Sequence, residues 1–359
     1  MVNELSTNKS EKRQITIDIF RNVKGKSSIL LVLFAVLISA ILFSFTIGRY
    51  SVTLNQLFEI IRYKIFGGTV SWPESVPTVL FKIRIPRIFI AVIIGAALAI
   101  AGVAYQGLFK NPMVSPDILG ASSGAGYGAA IAILLSFGSS GIQISAFLFG
   151  LAAVLITIII SKCVARSNNN ILALVLTGMV VNTLFSSFIS ITKYLADTDD
   201  KLPAITFWLM GGLSSVSLKD LLIMIFPFLV GIIPLLLIRW KLNVLSFGEE
   251  EAQGMGVDTR KIRALIIFCS TLLTASAVSI GGMIGWIGLI IPHIARLIVG
   301  PNYKVLLPAS ALIGGIFLLI VDDVARCLLS IEIPIGILTS IIGAPFFLYL
   351  LFKERRQKE

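Results

Sequence analysis

The chain of 359 residues is 56% hydrophobic and only 14% charged, with a mean hydropathy of +0.95. Soluble domains carry about 25% charged residues, so this composition excludes a protein that stays in water and points to an all-α membrane protein. The net charge of +11 does not imply nucleic acid as a partner, because no basic soluble domain carries it; in a membrane chain, Lys and Arg mark cytoplasmic loops.

Residues 1–27 form a basic tail with Lys9, Lys12, Arg13, Arg21, Lys24 and Lys26, suited to a cytoplasmic face rich in anionic lipid. The apolar run behind it is long enough to span a membrane, which favours a retained helix over a cleaved signal. Apolar segments then recur at 28–48, 86–108, 142–161, 171–192, 220–238, 263–281, 305–321 and 335–352. Two less uniform ones lie at 117–137 and 284–299. The expected fold is therefore ten transmembrane helices within a permease domain at 28–352, followed by a short tail at 353–359. With both termini cytoplasmic, inner segments hold 20 of the 30 Lys and Arg residues, as the positive-inside rule requires. The exception is the first outer segment, 49–87, which keeps Arg49, Arg62, Lys64, Lys82, Arg84 and Arg87 on the disfavoured side.

The segment from 117 carries Gly120, Gly124 and Gly128 at four-residue spacing, and Gly281 and Gly285 repeat that spacing later. Small residues so placed let another helix approach closely; ordinary packing and the lining of a path for a bulky solute are both open. The spans hold few ionisable groups. Asp117, Lys193, Asp322, Asp323, Arg326 and Glu332 fall at expected helix ends, and ion-driven carriers keep carboxylates in mid-membrane. The chain has no GxxxxGK[ST] phosphate loop and no His, Asp or Cys cluster, so neither a metal, a cofactor nor catalysis is expected. His293, beside Pro292, and Cys163, Cys269 and Cys327 read as structural.

The longest internal cytoplasmic loop, 239–263, holds the pattern expected of a handle for a separate motor. Ser246 and Glu249 have capping-box spacing, and Glu249, Glu250 and Glu251 suit a helix N-terminus. The helix should stop at Gly254, reverse at Gly256 and restart with Asp258 as the cap of the next span. A capped surface loop is the alternative.

Several runs together resemble one family. They are Arg84-Ile-Pro-Arg87, Gly95 to Gly102, Gln106 to Asn111-Pro112, Pro116-Asp-Ile-Leu-Gly120, Phe207 to Gly212, Gly254-Met-Gly-Val-Asp258, Gly285 through Pro292-His293 to Arg296, Asp323-Val-Ala-Arg326, and Pro334 to Pro345. In this order they resemble the transmembrane subunit of type II ABC importers, the FecCD-type permeases for iron-siderophore, haem and vitamin B12. The resemblance implies a second permease subunit, identical or paralogous, and two cytoplasmic ABC ATPase subunits. It also implies an extracytoplasmic substrate-binding protein, and a multi-pass place in a bacterial or archaeal cytoplasmic membrane. It assigns ATPase coupling to Ser246, Glu249, Gly254, Met255, Gly256, Val257 and Asp258, and docking of an acidic binding protein to Arg84, Arg87 and Arg326. The competing role for Arg84 and Arg87 is anchoring at lipid headgroups. By the same analogy the path is lined by the third, fifth, eighth and tenth helices, with Ser122, Ser123, Asn182, Thr183, Ser186 and Ser187 as its polar groups. The expected cargo is a ferric siderophore, with corrinoid or haem as alternatives. From another class, an ion-coupled secondary transporter would need a buried carboxylate.

Overall fold

The computed structural model describes residues 28–48, 75–164 and 170–356, with isolated positions between 53 and 73. The basic tail, Arg49 and Lys64 lie outside the described residues. The apolar helices are α1 (Ser28–Thr46), α2 (Val76–Phe109), α3 (Ala121–Leu134), α4 (Ser139–Val164), α5 (Asn170–Leu195) and, after the short α6 (Lys201–Leu209), α7 (Leu218–Leu237). Two short helices follow, α8 (Arg239–Phe247) and α9 (Glu249–Gly254). Then come α10 (Thr259–Gly281), α11 (Ile287–Val299), α12 (Tyr303–Cys327) and α13 (Ile335–Arg356), the last absorbing the start of the expected C-terminal tail. Seven of these helices are long and apolar enough to cross a membrane, and α3, α11 and the Ile335–Leu350 part of α13 are shorter apolar stretches.

Small residues decide which helix is central. In α2 the run from Gly95 to Gly102 removes side chains where neighbours press in. A Cβ at Gly95 would run into the Gly314 backbone of α12, and one at Gly102 into Gly288 of α11. Close backbone approach of this kind replaces the missing hydrophobic drive between helices in lipid. The result is that 83% of the α2 window is buried, against 17% for α1 and 28% for α5 and α7, whose Leu, Ile and Phe side chains face outward.

α2 ends in a Schellman motif, with Lys110 left-handed at φ 48°, Asn111 N–H donating to Gln106 O and Lys110 N–H to Gly107 O. The glycine ladder splits into two roles. A Cβ at Gly124 would sit 2.5 Å from that of Ala153, and one at Gly128 2.5 Å from Ser145 O, so both glycines seat α4 on α3. Gly120 instead precedes α3 at φ 87°, and a Cβ there would make only ordinary contacts, with Val181 at 3.4 Å, Asn182 N at 3.6 Å and Ser123 Oγ at 3.7 Å; backbone conformation, not helix packing, requires it. Gly281 and Gly285 are not a second packing pair. α10 stops at Gly281, Gly282 turns at φ 69°, and nothing lies within 4 Å of a Cβ at Gly285.

That break leaves backbone groups to be satisfied. α11 has 13 residues, about 20 Å long, against about 30 Å of hydrocarbon, so non-helical chain is tolerable only where protein surrounds it. Gly212 N–H donates to Gly281 O (2.8 Å), Ile335 N–H to Gly211 O (2.9 Å) and Gly336 N–H to Met210 O (3.1 Å). The ends of α6 and α10 and the start of α13 are thereby sewn together.

Candidate functional site

At the end of the bundle where α1 and α12 terminate and α2 begins, charge is concentrated inside the protein. Asp322 is fully buried, and Arg87 donates to it from Nε (3.0 Å) and Nη2 (2.9 Å) and to Glu332 from Nη1 (3.0 Å). Arg326 pairs with Asp323, and its Nη2 donates to Ser44 Oγ (2.7 Å) and Ser44 O (3.0 Å). Arg84 donates to Phe45 O. The three arginines expected to meet an acidic partner are thus 3%, 5% and 7% exposed and held by the chain's own groups. Burial made them necessary to one another: Asp322 at zero exposure needs an opposite charge, because an unpaired buried ion costs several kcal/mol. The rim of this end keeps Lys82 exposed and Glu332 partly so.

The other end carries the segment expected to be a handle. Leu242, Leu245, Ala252 and Val257 are buried and anchor α8 and α9, while Phe247 (72%) and Met255 (54%) stand exposed. The capping box expected at Ser246 and Glu249 does not form. Ser246 lies in the last turn of α8, its hydroxyl donates to Asn243 O (2.6 Å), and Gly248 is the residue before α9. Glu249 pairs with Arg263 of α10 instead. A capping box does open α7, from Ser217 and Asp220, a pair the sequence reading passed over. α9 ends at Gly254 in a Schellman motif: Gly256 at φ 79°, its N–H donating to Gln253 O and that of Val257 to Ala252 O. Asp258 caps α10, accepting from Lys261 N–H (3.0 Å), and that bond holds its carboxyl below the usual range.

A polar chain ties this handle to the helices above it. Asn243 donates to Asn302 Oδ1 (3.0 Å) and accepts from Tyr303 N–H (3.0 Å), and Arg239 donates to Lys304 O (3.0 Å). Next to Tyr303, Arg296 donates to Gln106 Oε1 (2.6 Å). Gln106 donates to Val114 O (3.3 Å), and His293 to Pro112 O (3.0 Å). The turn after α2 therefore hangs on α11. Sequence spacing gave no sign of this link, since Gln106 and Arg296 are 190 residues apart.

The expected path residues do not converge. Ser122 and Ser123 are buried, bonded to Asp117 and to Gly120 O (3.1 Å). Asn182 is half-buried, whereas Thr183, Ser186 and Ser187 are exposed on α5. Thr183 and Ser187 share a shallow cavity of about 430 Å³ with Met179, Val180 and Leu184. The hydroxyls of Thr183 and Ser187 are bonded to carbonyls one turn back, at 3.0 Å, which leaves the wall only weakly polar. A second cavity, about 390 Å³, opens at the α10 break between Met210, Met283, Gly285, Gly336 and Ser340. The paired glycines 211–212 and 281–282 were the sequence signal for it.

A model described as the FecCD transport family matches residues 32–353. The chain belongs to the FecCD transport family. It is thus an ABC importer permease and a multi-pass cell-membrane protein. This FecCD-type chain is 42% identical over 313 residues to the molybdate import system permease protein MolB of Haemophilus influenzae, covering 87% of this chain and 92% of that one. It is 41% identical over 282 residues to a probable iron chelatin transport system permease protein of Helicobacter pylori strain 26695, covering 79% and 85%. A solved chain described as a metal-chelate type ABC transporter in an inward-facing conformation superposes with a TM-score of 0.82 at 40% identity, over 91% of this chain and 99% of that one. Permeases of this family serve different cargoes.

Proposed function

We propose that this permease is the transmembrane subunit of an ATP-driven importer that passes a ferric siderophore across the cytoplasmic membrane through ten helices. It pairs with a second permease subunit, rests on two cytoplasmic ATPases and receives cargo from an external binding protein. The observation that carries the division of labour is the fate of the carboxylates. Each buried one among the described residues is already engaged, Asp220 by Ser217 and Gln143, Asp322 by Arg87, and Asp323 by Arg326 and Ser44, and the half-buried Asp117 accepts from the Ser122 hydroxyl. Among the described residues no carboxylate is left without a partner to bind a coupling ion, which supports force arriving from outside, and the exposed Phe247 and Met255 on either side of the acidic α9 offer an ATPase its grip. The Asn243–Asn302, Arg296–Gln106 line then carries that grip to α11 and α2.

A chelate suits the cavities better than a bare anion does. Their walls are Met, Ile, Leu and self-satisfied hydroxyls, with no cation among the lining residues, and a weakly binding wall lets a bulky solute leave again. The arginine cluster serves docking indirectly, by fixing the ends of α2 and α12 under a rim bearing Lys82 and Glu332. Molybdate is the second reading, favoured by the 42% identical relative. Uptake of radioactive ferric siderophore and of radioactive molybdate, measured with the full complex, separates them. Accumulation of molybdate alone rejects the chelate; uphill transport by this chain alone under a proton or sodium gradient rejects the ATP-driven reading.

A further inference from the structure

A groove of about 750 Å³ runs between α4 and α10. Its wall is apolar for most of its length, from Leu148, Leu151 and Leu155 on one side to Ile267 and Phe268 on the other. Its mouth is not: Lys162, in the last turn of α4, and Arg260 and Arg263, in the first two turns of α10, all line it. Lys162 and Arg260 are exposed, and the Nε of Arg263 is buried without a hydrogen-bond partner although its Nη2 pairs with Glu249. No acidic residue lines the groove. One anionic end and one long apolar body would complete both halves.

We propose that this groove holds one anionic phospholipid of the inner leaflet. Its acyl chain lies between α4 and α10, and its phosphate sits on Lys162, Arg260 and Arg263. The inference rests on the orientation adopted above, which puts the handle and the mouth of the groove on the cytoplasmic side. Basic pockets between transmembrane helices on that side are the sites that anionic headgroups recognise, and long Lys and Arg stems reach the headgroup level while their bodies stay on apolar surface. A second copy of the chain would fill the apolar floor but would not explain cations gathered at one end only. The location also gives the lipid an effect: its phosphate competes with Glu249 for Arg263, at the point where α9 is tied to α10.

Native mass spectrometry of the purified full chain, titrated with phosphatidylglycerol or phosphatidylcholine, tests this without any transport assay, so it stands apart from the cargo assignment. One phosphatidylglycerol per chain is expected to bind in preference to phosphatidylcholine. The double variant Lys162→Gln/Arg260→Gln should weaken phosphatidylglycerol about thirtyfold and leave phosphatidylcholine unchanged. Leu151→Trp, which fills the floor and spares the charges, should weaken both. Equal binding of the two lipids by the natural chain, or phosphatidylglycerol affinity unchanged in the double variant, overturns the proposal. So does cross-linking of two copies through a cysteine introduced at Leu155, since a protein then covers the groove.

Discussion

At one end of the bundle Arg87, Asp322, Asp323 and Arg326 are folded into the interior and saturate one another; at the other, Phe247, Met255 and the acidic turn of α9 are left facing solvent. Both regions are rich in charge and both looked like docking surfaces in the sequence. Burial separates them. A charge removed from water needs a counter-charge beside it, which makes the arginine–aspartate cluster a fastening between α2 and α12. An exposed apolar side chain on an anchored two-helix knob has no such fastening and stays available to another protein. Position in the sequence does not distinguish the cases, because Arg84-Ile-Pro-Arg87 and Asp322-Asp323 are more than 230 residues apart.

The sharpest way to break this contrast is to remove Arg87. Arg87→Met leaves the fully buried Asp322 with only Arg326 Nε, 3.9 Å away, and should destabilise the protein by about 3–5 kcal/mol. Thermal unfolding in detergent or nanodiscs reads this directly. The double variant Arg87→Met/Asp322→Leu should recover most of the loss, because both charges are then gone. A single variant that melts like the natural protein would show that the cluster is not a fastening.

The next largest effect is at the α3–α4 seam. Gly128→Val drives a side chain into Ser145 O and Phe149 Cβ, an overpacking of about 1–3 kcal/mol. Gly120→Ala, lacking that clash, should lose only the cost of a left-handed non-glycine residue, on the order of 1 kcal/mol. If the two melt alike, the division of the glycine ladder into packing and backbone roles is wrong.

At the handle the comparison reverses, and function should fall far more than the modest loss of stability accounts for. Nothing lies within 4 Å of a Cβ at Gly256, so Gly256→Val meets no clash; its φ of 79° alone strains the turn, by about 1–2 kcal/mol. Cargo uptake should collapse while expression and membrane insertion persist. ATPase activity of the complex that still rises with loaded binding protein would remove this turn from the coupling route.

How much of this was legible in the sequence follows the range of the forces involved. The apolar segments were, because hydrophobicity over some 20 residues is a local property. So were the stop at Gly254 and the cap at Asp258, which depend on a few neighbouring residues. Ser246 failed because Gly248 supplied a nearer boundary and Arg263, from the following helix, took Glu249. The Arg87–Asp322 pair and the Gln106–Arg296 bond failed for a different reason: they exist only once distant helices are in register.

The smallest effect isolates a single hydrogen bond. Asp258→Ala removes the acceptor for Lys261 N–H at the start of α10 and should fray that turn, while Asp258→Asn should be nearly neutral. The carboxyl is held below its ordinary value by that amide. The charge-dependent part of its contribution is therefore complete at neutral pH and is lost only as the pH falls below about 4, through the lowered value, while the neutral carboxyl can still accept from the amide. Hydrogen exchange at the first turn of α10 reads this locally, before global melting is affected. Faster exchange in Asp258→Ala but not in Asp258→Asn would confirm a cap. Equal acceleration in both would mean that the negative charge facing Lys261 Nζ at 3.2 Å, rather than the hydrogen bond, holds the handle to its span.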